Sequence, residues 1–145
     1  MTPSRAYPDR PLLGVGAIIV RDERILLVRR ANPPLQGEWS IPGGLVETGE
    51  TTKEAIIREV REETSLEVEP VKLVEVFERI LRDTESRVQY HFVLLDYLCL
   101  VISGEAKASS DVSDLYWATC DELESLAVAP ETCAVIRKAK VGDKR

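Results

Sequence analysis

The segment from Thr51 to Thr64 constrains the fold of this sequence more than any other, because it has neither glycine nor proline and repeats its apolar residues at helical spacing. Thr51 is followed three residues later by Glu54, which is the spacing of a capping box at a helix N-terminus. The stripe that we expect to pack against a sheet consists of Ile56, Ile57, Val60 and Thr64. The sequence therefore predicts an amphipathic helix here.

Three glutamates share a second face of this predicted helix. Glu59, Glu62 and Glu63 have i, i+3, i+4 spacing, which places them within an arc of roughly 100°. Carboxylates this close repel one another by about 0.2–0.5 kcal/mol per pair. A hard divalent cation such as Mg²⁺ relieves that repulsion and keeps positions open for phosphate oxygens. The alternative is a solvated acidic face, and these three residues alone do not decide between the two.

Strand-like segments surround the helix. They cover 13–20 and 24–29 with a turn at 21–23, then 39–41, 71–81 and 88–102 with a turn at 83–86, and 115–118. The run Pro42-Gly43-Gly44 predicts a turn, and Pro70 predicts a break. Short helices are expected over 121–126 and 131–140. The predicted strands and helices do not alternate regularly, and no GxGxxG motif follows a strand, which argues against a parallel Rossmann sheet. We therefore expect an α/β or α+β layered sheet with helices on its faces.

Length and composition indicate one globular domain. We expect it to occupy residues 12–140, with flexible tails at 1–11 and 141–145. A net charge of −6 argues against binding to nucleic-acid backbones. The most apolar stretch, 92–102, is too short to span a bilayer and is interrupted by Asp96. We therefore expect no membrane partner. Three cysteines without a CxxC motif indicate no disulfide framework, which favours a reducing compartment, and we expect a cytoplasmic protein.

The run GGLVETGE (43–50), followed after seven residues by REVREE (58–63), resembles the Nudix box of the Nudix hydrolases. Six fixed residues at average frequencies of about 6% would match by chance roughly once in 10⁸ chains of this length. One position departs from the pattern, since Ser65 stands where the family has a glycine. The matching positions are Gly44, Glu50, Arg58, Glu59, Val60, Glu62, Glu63 and Leu66.

The resemblance covers about residues 13–126 and implies the fold and the reaction of that family. The implied fold is an α/β/α sandwich around a mixed β-sheet. The implied reaction is hydrolysis of a nucleoside diphosphate linked to another group X, with Mg²⁺ or Mn²⁺ as cofactor. The implied partner is a small-molecule nucleotide, and homodimers are frequent in the family.

Metal and catalytic roles carry over to particular positions by the same resemblance. Glu59, Glu62 and Glu63 are expected to ligate metal together with the Gly43 carbonyl. Arg58 is expected to hold Glu47 or Glu50 in place, and Glu50 to orient or supplement the metal shell. The general base is Glu62 or Glu63, or a second acid from the loop 104–114, where Asp111 is preferred and Glu105 and Asp114 are rivals.

Candidate substrate contacts lie before and within the box. Arg30 or the neighbouring Arg29 could neutralise a phosphate, and Trp39 could stack on a base or ribose. Gly44 lets its backbone approach a ligand closely. The whole sequence resembles bacterial ADP-ribose or nucleotide-sugar pyrophosphatases. Nucleoside triphosphates, including oxidised ones, and a non-catalytic nucleotide sensor remain alternatives.

Overall fold

The computed structural model describes residues 5–31, 36–109 and 112–143. The strands are β1 (Leu12–Arg21), β2 (Arg24–Arg30), β3 (Trp39–Ser40), β4 (Gly43–Leu45), β5 (Glu67–Arg82), β6 (Val88–Ser103) and β7 (Val112–Ala118). The helices are α1 (Thr52–Thr64) and α2 (Pro130–Asp143), and a single 3₁₀ turn spans Cys120–Glu122. These elements confirm the expected mixed α and β architecture.

The sheet is mixed, as expected. Its strands follow the order β3-β2-β1-β6-β5, while β4 pairs with β1 and β7 pairs with β2. The β1–β6 pair is parallel and the remaining pairs are antiparallel. Since side chains alternate along a strand, the two faces of β1 supply two separate cores. Val15, Ala17 and Ile19 pack with α1, and Ile18 packs with α2.

Local signals account for α1. Thr51 Oγ1 accepts a hydrogen bond from the Glu54 amide, and the Thr51 amide donates to Glu54 Oε1 at 2.8 Å. The predicted capping box is therefore present. Ala55, Ile56, Val60 and Thr64 are buried. The helix ends at Thr64, and the next residue, Ser65, caps it in the left-handed conformation at φ +67°, which a glycine would favour.

Two strand predictions were wrong. Gly43 and Gly44, which were expected in a turn with Pro42, instead begin β4, which pairs antiparallel with Gly14–Gly16. The expected break at Pro70 is absent, because β5 runs through it. Pro70 lies on the edge strand beside a register shift, where the missing proline amide costs no interior ladder bond.

One helix prediction near the C-terminus was wrong. The helix expected over 121–126 is only the 3₁₀ turn Cys120–Glu122, whereas α2 is present and runs from Pro130 to Asp143. Within the N-terminal tail, the Tyr7 amide donates to the Gln89 carbonyl and its hydroxyl to Asp83 at 2.8 Å. This part of the tail is attached to the β5–β6 hairpin.

Candidate active site

A cleft of about 580 Å³ extends from the acidic face of α1 to the β5–β6 hairpin. Its acidic end is lined by Glu59, Glu62, Glu63, Gly43 and Gly44. Its far end is lined by Phe77, Arg79, Phe92 and Leu94. The fold therefore joins carboxylates, cations and aromatic rings in one cavity.

Arg58 organises the acidic end. Its Nε and Nη2 donate to the two Glu50 oxygens at 2.7 and 2.9 Å, and Nη2 also donates to the Leu45 carbonyl at 2.9 Å. The hydrogen bond from Arg58, followed by one from the Glu47 amide, lowers the pKa of Glu50 to about 2. Arg58 therefore holds Glu50 closely, whereas its distance to Glu47 Oε1 is 3.6 Å. Glu50 does not itself line the cleft, and it contacts the acidic end only through Arg58.

Glu59 is much more enclosed than Glu62. Its side chain is only 15% exposed, and Arg58 Nη1 donates to it at 2.7 Å. Burial raises the pKa of Glu59, and the Arg58 hydrogen bond partly opposes that shift. A Cβ at Gly44 would lie within 2.5 Å of both Glu59 carboxylate oxygens. Glycine at this position is what leaves room for the carboxylate.

Glu62 and Glu63 complete the acidic face. The Glu62 side chain is 58% exposed and accepts from Arg58 Nη1 at 3.1 Å. Glu63 Oε1 accepts from the Gly43 amide at 3.1 Å, which joins α1 to β4. Arg30 lies nearby, where burial lowers its pKa and the Glu63 charge raises it. The Arg79 guanidinium reaches Glu131 at 2.7 Å while lining the cleft.

The acidic end fits a divalent cation in composition and space. No three His, Cys, Asp or Glu side chains in the described ranges are already gathered as a coordination cluster. Instead, Arg58 draws Glu59 and Glu62 to its guanidinium, and Glu63 turns to the Gly43 amide. These are ends of flexible side chains that can turn toward one point. Oxygen donors are the ligands that Mg²⁺ prefers.

Some predicted site residues are not brought to the cleft. Trp39 packs edge-on against Tyr116, with ring centroids 6.3 Å apart, and Arg29 lies over the Trp39 ring. Arg29 also donates to the Gly37 carbonyl at 3.1 Å, and neither residue is among the described residues that line the cleft. Asp111 lies outside the described residues. Glu105 and Asp114 do not line the described cleft.

Sequence reasoning missed Asp96 as a site residue. Asp96 lies on β6 and lines the cleft, although the residue is only 3% exposed. Burial, and then the Glu75 charge on the neighbouring strand, raise the pKa of Asp96 to about 6. No described residue donates a hydrogen bond to its carboxylate. The signal was an acid in the middle of an apolar strand sequence.

Comparisons with known proteins match most of the chain to one family. The NUDIX domain matches residues 10–139. An ADP-ribose pyrophosphatase of Methanocaldococcus jannaschii is 37% identical over 117 residues, which are 81% of this chain and 67% of the relative. A Mycobacterium tuberculosis protein provisionally named 8-oxo-dGTP diphosphatase 2 is 35% identical over 117 residues, covering 80% and 79%.

The fold comparison gives the same result. The crystal structure of a MutT NUDIX hydrolase from Burkholderia pseudomallei superposes with a TM-score of 0.78 at 31% identity, over 90% of this chain and 98% of the other. Among the described residues, no helix has the length and apolar character needed to cross a membrane. Because the NUDIX match spans nearly the whole chain and these relatives exceed 30% identity across most of it, the chain belongs to the Nudix hydrolase family.

Proposed function

We propose that this Nudix hydrolase cleaves the pyrophosphate bond of a nucleoside diphosphate linked to a second group, with ADP-ribose or a related nucleotide sugar as its substrate class. The observation that carries the proposal is the position of the α1 glutamates against the Gly43–Gly44 backbone, in the same cleft as Arg30 and Arg79. Such a cleft can hold cations at one end and anionic substrate groups beside them. The relative named ADP-ribose pyrophosphatase supports this choice of substrate.

Mg²⁺ or Mn²⁺ is proposed as the cofactor, held by Glu59, Glu62, Glu63 and the Gly43 carbonyl. A divalent cation bound there neutralises the diphosphate, aligns it and lowers the pKa of an attacking water. Phosphoryl transfer needs mainly positioning and charge stabilisation, so the site requires no nucleophilic serine or cysteine. We propose a small nucleotide as the substrate.

The chain's own residues divide the remaining tasks. Arg58 fixes the acidic helix to the Glu50 loop and so sets where the carboxylates begin. Arg30 neutralises a substrate phosphate next to Glu63. Glu62 or Glu63 accepts the proton of the attacking water, with Asp111 as a second acid. Of the two glutamates, the exposed Glu62 has the freer side chain for this role.

A second candidate function is hydrolysis of nucleoside triphosphates, including oxidised ones. The observation that favours it is the Mycobacterium tuberculosis relative, which is 35% identical and covered over 79% of its length. The same acidic face would serve this reaction, because both substrates present a metal-bound diphosphate.

A substrate panel tests both functions. Purified protein with Mg²⁺ or Mn²⁺ is mixed with ADP-ribose, NADH, diadenosine polyphosphates, dNTPs and 8-oxo-dGTP, and released phosphate-bearing products are measured. We expect the highest kcat/KM with ADP-ribose, no turnover in EDTA, and strong loss in Glu62→Gln and Glu63→Gln. Glu69→Gln, an exposed carboxylate on β5 outside the cleft lining, is the matched control. Metal-independent turnover, or binding without turnover of any substrate, would show that the proposal is wrong.

A further inference from the structure

Asp96 is a buried carboxylate that the proposed hydrolysis does not use. It lines the cleft at 3% exposure, and no described residue donates a hydrogen bond to it. The Asp96 carboxylate is not sealed from the cleft, because His91 Nε2 is the only fully buried polar side-chain atom without a partner among the described residues. A group bound in the cleft can therefore reach the Asp96 oxygens, where the nearly dry surroundings strengthen a hydrogen bond. A hydrogen-bond donor on the ligand would satisfy this carboxylate.

The neighbouring strand makes room for this carboxylate. Gly16 is the β1 partner of Asp96, and a Cβ at Gly16 would overlap Asp96 Oδ1. The same Cβ would also lie 2.8 Å from Ile41 Cδ1. Because glycine has no Cβ, Gly16 leaves room for the Asp96 carboxylate in a narrow part of the cleft floor.

Strand register places Asp96 at a fixed distance from the acidic end. Gly16 pairs with Gly43 on one side and with Asp96 on the other. Two strand spacings therefore separate Gly43 from Asp96, which is about 10 Å. That span is comparable to the length of a nucleoside, so a nucleotide with its phosphates at Gly43 can bring its base edge to Asp96.

The surface beside Asp96 suits a flat ring. Leu94 lies two residues earlier on the same face of β6, about 7 Å away, and Phe77 is its partner on β5. Phe92 lines the cleft one step further along. Aromatic and apolar side chains stack on any base, so they supply affinity without choosing among bases. Discrimination between bases requires a polar group at the edge of the bound base.

We propose that the Asp96 carboxylate selects purine nucleotides by accepting a hydrogen bond from the exocyclic amino group, N6 of adenine or N2 of guanine. An ionised carboxylate only accepts hydrogen bonds, so it favours an amino group and disfavours a carbonyl in the same place. The inference rests on the proposed function only in requiring that a nucleotide occupies the cleft.

Binding of nucleoside monophosphates tests the inference without any hydrolysis. The dissociation constants of AMP, GMP and IMP are measured by calorimetry in Mg²⁺, for wild type, Asp96→Asn and Glu75→Gln. IMP lacks the amino groups of both other nucleotides. Glu75→Gln is the matched control, because Glu75 faces Asp96 from β5 but is absent from the described cleft lining.

We expect wild type to bind AMP or GMP about tenfold to a hundredfold more tightly than IMP, as one hydrogen bond to a charged group provides. Preference for AMP would identify adenine as the amino source, and preference for GMP would identify guanine. Asp96→Asn should bring an AMP-to-IMP ratio to within about twofold of unity, because its amide can also donate to the O6 carbonyl of hypoxanthine. It should lower a GMP-to-IMP ratio severalfold, because a neutral amide oxygen accepts a weaker hydrogen bond from the guanine amino group than a carboxylate does. Glu75→Gln should keep the wild-type ratio.

Other outcomes would overturn the inference. Equal binding of the three nucleotides would assign Asp96 to a ribose hydroxyl or to packing, and an unchanged ratio in Asp96→Asn would exclude it from base selection. Failure of wild type to bind any of them would also overturn it. Base selection without pyrophosphate hydrolysis would contradict the proposed function alone, and hydrolysis without base selection would contradict this inference alone.

Discussion

Arg58 donates two hydrogen bonds to the Glu50 carboxylate, at 2.7 Å from Nε and 2.9 Å from Nη2. This fork-shaped contact joins α1 to the loop that follows β4. The same guanidinium contacts Glu59 at 2.7 Å, so the residue that fixes the helix also positions an acidic side chain of the cleft. A single side chain, Arg58, therefore both attaches α1 to the loop and positions a carboxylate of the cleft.

Replacing Arg58 with lysine should reduce activity more than stability. Lysine keeps the positive charge but cannot form the two-pronged contact. We expect kcat/KM and Mg²⁺ affinity to fall about tenfold to a hundredfold, as for other residues that orient metal ligands. Arg61→Lys is the matched control, since Arg61 forks onto Glu67 on the same helix at 2.6 and 2.7 Å, away from the cleft. Equal losses in both variants would contradict a positioning role.

The depressed pKa of Glu50 predicts an acid-dependent contribution to stability. Its folded pKa is about 2 against an ordinary 4.5, so its stabilising effect is complete above pH 4.5 and is lost as pH falls toward 2. Urea unfolding from pH 2 to 6 should show Glu50→Gln less stable than wild type at pH 6, with the difference closing toward pH 2. A constant deficit for Glu50→Gln at every pH would contradict the linkage.

How far the sequence predicted the structure depends on the range of the interactions. The helix α1 and its capping box follow from contacts within a few residues, so they were predicted correctly. The strand β4 was missed because its partners lie at Gly14–Gly16, and turn-like local sequence says nothing about that pairing. Asp96 was missed for a related reason, since only the register with Gly16 places it on the cleft side.

The two adjacent glycines should respond differently to alanine. A Cβ at Gly43 would overlap the Val15 carbonyl oxygen, which is backbone of the paired strand, so we expect a stability loss of about 1–3 kcal/mol. The three atoms nearest to a Cβ at Gly44 all belong to the end of the Glu59 side chain, which can turn away. Gly44→Ala should therefore remain folded while losing about tenfold or more in kcat/KM. Thermal unfolding together with kinetics measures both effects. A Gly44→Ala protein of normal activity would show that Glu59 is not required in its present position.

Ser65 should be improvable without affecting catalysis. It adopts φ +67° at the C-terminus of α1, and the side chain is exposed. Ser65→Gly removes the strain of a Cβ in this conformation, so we expect about 1 kcal/mol of added stability and about 3 °C in Tm. Ser65→Ala keeps the Cβ and should show no gain. A large loss of stability or activity in Ser65→Gly would show that the hydroxyl has a role of its own.

Asp96 should make the folded state less stable as pH rises. Its folded pKa of about 6 exceeds the ordinary 3.8, so the folded protein holds a proton that the unfolded chain releases in that window. The groups facing it are Glu75 on β5 and, through an ion pair at 3.3 Å with Glu75, Lys138 on α2. The destabilising effect is therefore absent below pH 3.8, grows up to about pH 6, and is constant above it.

Asp96→Asn isolates this effect, because the amide does not titrate while its own burial cost is the same at every pH. A shift of about two pKa units corresponds to about 3 kcal/mol. The free energy of unfolding of Asp96→Asn minus that of wild type should therefore rise by up to about 3 kcal/mol between pH 4 and 7, measured by urea unfolding. Glu75→Gln should shift the wild-type transition to lower pH without removing it, since it takes away only the neighbouring charge. A difference that stays flat across this range would mean that the Asp96 carboxylate finds a donor or a cation in solution, which would also remove the reason for expecting one from a ligand.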